Sequence, residues 1–114
     1  MILMKRTMEL LPHVSFSILM ALSLKPRHGY EIMQQVNADS LGKIKLGPGS
    51  LYTAIKQLSD ESLIEEVPNF DNRRRYYRLT KKGWDKLNAE LSYFDNTIKL
   101  AKERKVHRAF LGAV

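Results

Sequence analysis

Residues 47–58 read GPGSLYTAIKQL, and this stretch predicts a turn that opens directly into an amphipathic helix. Pro48 presets the first helical φ angle, and the glycines on either side free the backbone at the start of the helix. Leu51, Ile55 and Leu58 recur at helical spacing and form its expected buried stripe. The opposite side of the helix is polar and free to bind a partner, with Ser50, Thr53, Lys56 and Gln57.

Two shorter helices precede this one. Apolar residues recur at helical spacing over 12–24, and Pro12 suits the first turn of a helix. Lys25-Pro26 ends this first helix, because the residue before a proline avoids the α region. A second helix of about three turns is predicted over 28–38 and ends in a polar, glycine-containing segment.

A β-hairpin and a long helix follow. Residues 63–67 and 75–79 are β-branched, aromatic or alternating, and a polar loop joins them. Thr80 is the expected N-cap of a last helix over 81–108. Apolar residues recur along this helix at alternating spacings of three and four, which is typical of a coiled-coil seam: Trp84, Leu87, Leu91, Phe94, Ile98 and Ala101.

The order of these elements predicts a winged helix-turn-helix domain in the α+β class, mainly α, with a long C-terminal dimerisation helix. The predicted segments are an N-terminal arm or short helix over 1–11, the winged domain over 12–80, the dimerisation helix over 81–108 and a tail over 109–114. We expect the seam to pair with a second copy of the chain. The alternative is that it folds back on the helices of its own subunit.

Composition narrows the partners. The chain of 114 residues has room for one core, and 19 Lys and Arg against 12 Asp and Glu give a net charge of +7. This charge favours nucleic acid or an anionic membrane surface. The lack of cysteine excludes disulfides and thiol chemistry and favours a cytoplasmic location. The apolar run 14–24 is similar to a secretory signal, but Glu9 and Pro12 interrupt its start and it is too short to span a bilayer.

Cations gather at the hairpin. No acid interrupts the ten residues that carry Arg73, Arg74, Arg75, Arg78, Lys81 and Lys82. Clustered cations release counterions from a phosphate backbone, so they bind nucleic acid strongly but without sequence preference. We therefore expect the four arginines to position a DNA duplex. The alternative is a solvated charged face.

The polar face of the third helix is expected to contact base edges. Lys56 can donate to guanine, Gln57 can pair with adenine, and the methyl group of Thr53 can meet that of thymine. Ser50 supplies a further hydroxyl, and the alternative is an ordinary polar surface. Tyr52 either closes the core or directs its hydroxyl at a phosphate.

Three short motifs, in this order, resemble the PadR transcriptional regulators over about residues 14–83: HGYEI at 28–32, PGSLY at 48–52 and RYYRLT at 75–80, with Gly83 three residues later. The resemblance implies a winged-helix repressor, dimerised through C-terminal helices, that leaves its operator when a small ligand such as a phenolic acid or a drug binds. The single long helix resembles the family's short subgroup. Two departures are the sequence NFDN at 69–72, where a glycine-rich wing tip is usual, and the isolated Pro12.

A homodimer would present two third helices, so we expect a near-palindromic operator in double-stranded DNA. Trp84, Tyr93 and Phe94 are candidates for stacking on a flat aromatic effector between subunits, or they serve only in packing.

Catalysis is not expected. His13, His28 and His107 are far apart in sequence without neighbouring carboxylates at ligand spacing, so no metal site is predicted. The turn at 47–50 lacks the lysine of a nucleotide-binding loop, and no cofactor is expected. Two other functions remain open, namely a basic winged-helix module that binds RNA and one that binds an acidic protein.

Overall fold

The computed structural model describes residues 9–68 and 73–106. Within these ranges the chain is mainly helical and carries one small antiparallel sheet, which confirms the predicted fold class. The helices are α1 (His13–Leu22), α2 (Gly29–Asp39), α3 (Pro48–Asp60) and α4 (Lys81–Glu103). The strands are β1 (Arg27–His28), β2 (Ile64–Val67) and β3 (Tyr76–Leu79).

Two helix ends differ by two or more residues from the predicted ones. The first helix stops at Leu22 rather than 24, because the hydroxyl and the N–H of Ser23 both donate to the Met20 carbonyl. The last helix stops at Glu103 rather than 108: Arg104 caps it, and Lys105 takes a left-handed φ of 63°. The predictions for 1–8, 69–72 and 107–114 lie outside the described residues.

The sheet contains a strand that the sequence did not indicate. Its order is β1-β3-β2, so that β3 has a partner on both edges. In β1, Arg27 pairs with Tyr77 and His28 pairs with Tyr76. Arg27 is buried and donates from Nε to the Ala21 carbonyl at 2.9 Å, which fixes β1 to the end of α1. The predicted hairpin thus becomes a three-stranded wing base.

The core lies where α1, α2 and α3 meet the sheet. The stripe predicted for α3 is buried, and fully buried side chains from α1 and α2 pack against it: Ile18, Leu19, Ile32 and Val36. Helix α4 contributes Leu87 to the same cluster. One hydrophobic core therefore holds α3 and the wing base in a fixed relation.

The start of α4 is tied to the turn before β2. The hydroxyl of Thr80 accepts a hydrogen bond from the Gly83 N–H at 2.9 Å, as expected of an N-cap, and donates to the Ser62 carbonyl at 2.6 Å. Gly83 packs so closely on the Leu63 carbonyl that a β carbon at this position would overlap it.

Within one subunit, part of the α4 seam is buried and part of it is exposed. Leu87 is in the core and Phe94 contacts Phe16 edge to face, with ring centroids 5.3 Å apart. Leu91 and Ile98 remain 40% and 54% exposed. The seam residues Trp84 and Ala101 are exposed and half-buried, respectively. The part of the seam beyond residue 90 therefore keeps an apolar surface.

Glu90 is a buried carboxylate between α4 and the segment before α1. It is 2% exposed, and its Oε2 accepts a hydrogen bond from the Leu11 N–H at 2.8 Å. Nζ of Lys86 lies 3.4 Å from the same oxygen and donates to the Glu9 carbonyl. Oε1 has no hydrogen-bond partner. These contacts hold residues 9–11 against α4.

Across the described residues, we find no helix that combines the length and the apolar character needed to cross a membrane.

Candidate nucleic-acid interface

The side chains predicted to contact bases all lie on the solvent side of α3. Ser50, Thr53, Lys56 and Gln57 are exposed. Lys56 forms an ion pair with Asp60 one turn later, with Nζ 3.0 Å from Oδ2. Both groups are in solvent, so this pair is weak and Lys56 can exchange Asp60 for another acceptor.

Tyr52 stays outside the core, so it does not close the core, and its contact with a phosphate stays a prediction. Its side chain is 58% exposed and reaches over the start of α2. A β carbon on Gly29 would lie 3.1 Å from the Tyr52 hydroxyl oxygen and 3.1 Å from Leu51 Cδ2. The glycine in the HGYEI motif thus allows α3 to approach α2 and brings the Tyr52 hydroxyl to the molecular surface.

The four predicted arginines are all exposed, but two of them have acidic partners on β2. Nε of Arg78 lies 2.8 Å from Glu65 Oε2, and Nε of Arg75 lies 4.0 Å from Glu66 Oε2. The acid-free run in the sequence conceals these pairs, because strand register brings Glu65 opposite Arg78. Fewer positive charges are therefore uncompensated at the wing than a count along the chain indicates.

Arg74 has a different neighbour, the buried ring of His28. Nη1 of Arg74 lies 3.1 Å from Nε2 of His28, although the two residues are 46 positions apart. On its other side the His28 ring faces the start of α2, where Nδ1 lies 3.4 Å from the Glu31 N–H, while Glu31 Oε1 accepts from the His28 N–H at 3.2 Å. His28 thus connects the start of α2 with the wing. The spacing of His28 and Glu31 is the signal of a capping box.

These groups enclose a cleft between the starts of α2 and α3 and the base of the wing. Its lining combines tyrosines with arginines: His28, Gly29, Tyr30, Tyr52, Arg73, Arg74, Arg75 and Tyr77. The cleft brings Tyr52 of α3 together with three of the four predicted wing arginines. Tyr30, 62% exposed, was not identified from the sequence.

Tyr77 forms the floor of this cleft as a buried phenol. Burial raises its pKa above the ordinary value, the charge of Glu66 raises it further, and Arg75 opposes both effects. The phenol therefore stays neutral over the physiological pH range and can act as a hydrogen-bond donor.

The candidate effector residues do not share one pocket within a subunit. Tyr93 and Phe94 meet edge to face at 5.4 Å. Trp84 precedes Tyr93 by nine positions of α4, which places the two side chains on opposite sides of a helix with 3.6 residues per turn. The structure thus groups Tyr93 and Phe94 with Phe16 and leaves Trp84 apart.

No group of three or more His, Asp or Glu side chains suited to a metal ion occurs among residues 9–68 and 73–106.

The three helices and the small antiparallel wing define a winged-helix protein, and the comparison of sequences gives its family. The sequence model of the transcriptional regulator PadR-like family matches residues 18–89, more than half of the chain. The chain therefore belongs to this family, and its resemblance through three motifs is confirmed. An uncharacterised protein of Lysinibacillus sphaericus is 28% identical over 74 residues, which cover 62% of this chain and 68% of that protein.

Solved structures share the fold. A PadR family transcription regulator from Clostridium difficile has 24% sequence identity and a TM-score of 0.67, over 81% of this chain and 97% of that one. A transcriptional regulator from Clostridium thermocellum has the same identity and TM-score, 24% and 0.67, over 80% and 91% of the two chains. RosR of H. salinarum, 20% identical, aligns over 91% and 96% with a TM-score of 0.67. At these identities the likeness extends to the fold alone.

Proposed function

We propose that this chain is a homodimeric regulator of transcription that binds double-stranded operator DNA in the cytoplasm and acts as a ligand-responsive repressor. One observation carries the proposal. The polar face of α3 is exposed, and Tyr52 at its start lines the same cleft as Arg73, Arg74 and Arg75. The start of α3 and the wing arginines thus lie together at one cleft, which supports a winged helix on a duplex.

The polar residues of α3 and the arginines of the wing have different roles in this proposal. Ser50, Thr53, Lys56 and Gln57 carry the hydrogen-bonding groups that distinguish base pairs in the major groove. The wing arginines bind phosphates and hold the protein in register on the duplex. Because Arg75 and Arg78 already have acidic partners, Arg74 contributes more to the attraction to phosphate than either of them.

Dimerisation is supported by the far half of α4. Leu91 and Ile98 lie seven positions apart on the same, exposed face of α4. Burying them against a second copy of the chain removes apolar surface from water. A two-fold dimer has two copies of α3, so its operator should be a near-palindrome with half-sites roughly 34 Å apart.

Response to a ligand is supported by the aromatic group formed by Phe16, Tyr93 and Phe94. These rings lie beside the exposed seam, where a flat aromatic molecule can stack on them at a dimer interface. A ligand there would alter the angle between subunits and thereby the spacing of the two α3 helices. Repression, like the ligand response, follows the family resemblance.

A mobility-shift titration tests the central part of this proposal. The protein is titrated against the promoter of its own gene and against a scrambled duplex of equal length, each at several salt concentrations. We expect the complex with the promoter to persist at salt concentrations that dissociate the complex with the scrambled duplex, since non-specific binding is almost wholly electrostatic. Equal affinity for both duplexes, or preference for an RNA of the same sequence, would contradict the proposal.

A further inference from the structure

The contacts of His28 in the free protein are not mutually compatible. A neutral imidazole has one ring nitrogen that accepts a hydrogen bond and one that donates. Arg74 can only donate, so its approach to Nε2 at 3.1 Å requires Nε2 to accept. The Glu31 N–H also only donates, and it faces Nδ1. One of the two donors must therefore lack an acceptor.

The distances indicate which donor is left without an acceptor. The contact between Arg74 and Nε2 is the shorter one, at 3.1 Å, while the Glu31 nitrogen lies 3.4 Å from Nδ1. In this state the proton is on Nδ1, Arg74 is held by the ring, and the Glu31 N–H has no acceptor on the ring, while Glu31 Oε1 still accepts from the His28 N–H.

The other tautomer would satisfy the start of α2. With the proton on Nε2, Nδ1 can accept from the Glu31 N–H, and the carboxylate of Glu31 is near Nε2, with Oε1 3.6 Å away. The ring itself need not move, because its burial and its edge-to-face contact with Tyr76 at 5.1 Å hold it in place. This tautomer is available only when Arg74 has another acceptor.

We propose that the cleft between α2, α3 and the wing is a binding site for one backbone phosphate of the DNA duplex, and that Arg74 leaves His28 to bind it while the His28 proton changes from Nδ1 to Nε2. His28 is a positioning residue here: it holds Arg74 at the cleft in the free protein and caps α2 in the complex. This inference rests on the proposed function.

The lining of the cleft suits a phosphodiester. Arg74 supplies a planar fork of N–H donors, and the exposed phenol groups of Tyr30 and Tyr52 offer further hydroxyl donors at its rim. The contact touches no base, so it should occur on any duplex that the protein occupies.

The tautomer of His28 is the first readout, and it needs no DNA. The ¹⁵N shifts of the ring distinguish the two neutral forms, and the signals of His28 are those absent from the variant His28→Asn. We expect the Nδ1–H form in the free protein and the Nε2–H form in Arg74→Ala. Arg75→Ala is the matched control and should leave the Nδ1–H form unchanged, because Arg75 faces Glu66. An Nε2–H ring in the free protein, or no change in Arg74→Ala, would overturn the proposal.

The second readout adds the ligand. Operator duplex should convert His28 to the Nε2–H form, and scrambled duplex should do so at low salt. If inorganic phosphate alone converts the ring at concentrations below those at which duplex acts, the site is one for a free anion and the proposal is wrong.

The third readout locates the phosphate. Arg74→Ala should weaken binding of an unmodified operator about tenfold. This loss should disappear when one particular phosphate in each half-site is replaced by an uncharged methylphosphonate. A loss that is equal at every position would contradict the assignment. If no duplex binds at all, the proposed function fails while the ring tautomers still report on His28 and Arg74. If duplex binds and the ring does not change, only this inference fails.

Discussion

The α carbon of Gly83 faces the carbonyl of Leu63 so closely that no side chain fits between α4 and the turn before β2. The same carbonyl accepts a hydrogen bond from the Thr80 N–H at 3.1 Å, so it cannot move away without breaking the junction. The junction between the wing and α4 therefore depends on this glycine.

Gly83→Ala should destabilise the fold. Because backbone rather than a flexible side chain opposes the new methyl group, we expect the free energy of unfolding to fall by about 3 kcal/mol or more. Denaturant titration measures it. Asn88→Ala, on the exposed side of the same helix, is the control and should change it by no more than about 0.5 kcal/mol. Equal stabilities for the two variants would be inconsistent with close packing of Gly83 on the Leu63 carbonyl.

The division between base and backbone contacts predicts two kinds of DNA-binding variant. Gln57→Ala and Lys56→Ala should each cost about 1–3 kcal/mol of binding free energy, mainly on the preferred operator. Arg74→Ala should weaken every duplex similarly and lower the salt slope by about 1. Titrations on preferred and scrambled duplexes at several salt concentrations measure both quantities. The opposite pattern would exchange the roles assigned to α3 and the wing.

Ion pairing within the wing predicts that its arginines are unequal. Arg78→Ala should reduce DNA affinity less than Arg74→Ala, because Glu65 already compensates the charge of Arg78 at 2.8 Å. In a Glu65→Gln background Arg78 is unpaired, so the same Arg78→Ala change should cost more there than in the wild type. Identical losses in both backgrounds would mean that the ion pair has no influence on binding.

The exposed half of the α4 seam predicts a dimer that a single charge can disrupt. Ile98→Asp should shift the protein towards monomer, because an unpaired carboxylate would be buried in the interface. Asn96→Asp adds a similar charge two positions away, on the other side of the helix, and should leave the dimer intact. Sedimentation equilibrium distinguishes the two. A wild-type monomer at micromolar concentration would refute the proposed dimer outright.

The buried pair of Lys86 and Glu90 predicts a compensating double variant. Lys86→Met alone leaves the Glu90 charge buried without its cation and should cost about 3–5 kcal/mol of stability. The double variant Lys86→Met/Glu90→Leu removes both charges and should regain more than half of that loss. Thermal and denaturant unfolding measure the stabilities. A double variant less stable than Lys86→Met would show that the Leu11 contact, rather than the charge, dominates.

The raised pKa of Tyr77 predicts a loss of stability in alkali. The unfolded tyrosine ionises near pH 10.0 while the buried one keeps its proton, so the native state binds more protons above that pH and unfolding becomes easier as pH rises. Tyr77→Phe should therefore show a shallower decline in stability above about pH 10 than the wild type. Tyr93→Phe, at an exposed position, should keep the wild-type slope. Parallel curves for all three proteins would exclude a contribution from Tyr77.

Periodic features of the sequence were sufficient to predict most of the fold. The stripe of Leu51, Ile55 and Leu58 and the alternation in β3 each depend on neighbours a few residues apart, which a local pattern records. The capping role of Thr80 has the same local origin. The short strand β1 could not be found in this way, because two residues have no period and their partners lie 50 and 48 positions further along the chain.

The site was predicted as a set of residues but not as a set of interactions. The exposed positions on α3 and the wing followed from periodicity and charge. The pairing of Arg78 with Glu65 depends on strand register, and the contact of Arg74 with His28 depends on β1. The burial of Glu90 was not predicted, because a charged residue next to the seam residue Leu91 does not belong to the apolar pattern.

Because β1 pairs with β3, the wing is anchored by a strand other than the two that its connecting loop joins. With β1 on one edge of β3 and β2 on the other, the base of the wing is held by backbone hydrogen bonds that do not involve the connection between Pro68 and Arg73. We therefore expect that this connection can be replaced by another without a change in α3. Grafted connections of different length and charge offer a route to new operator preferences on an unchanged scaffold.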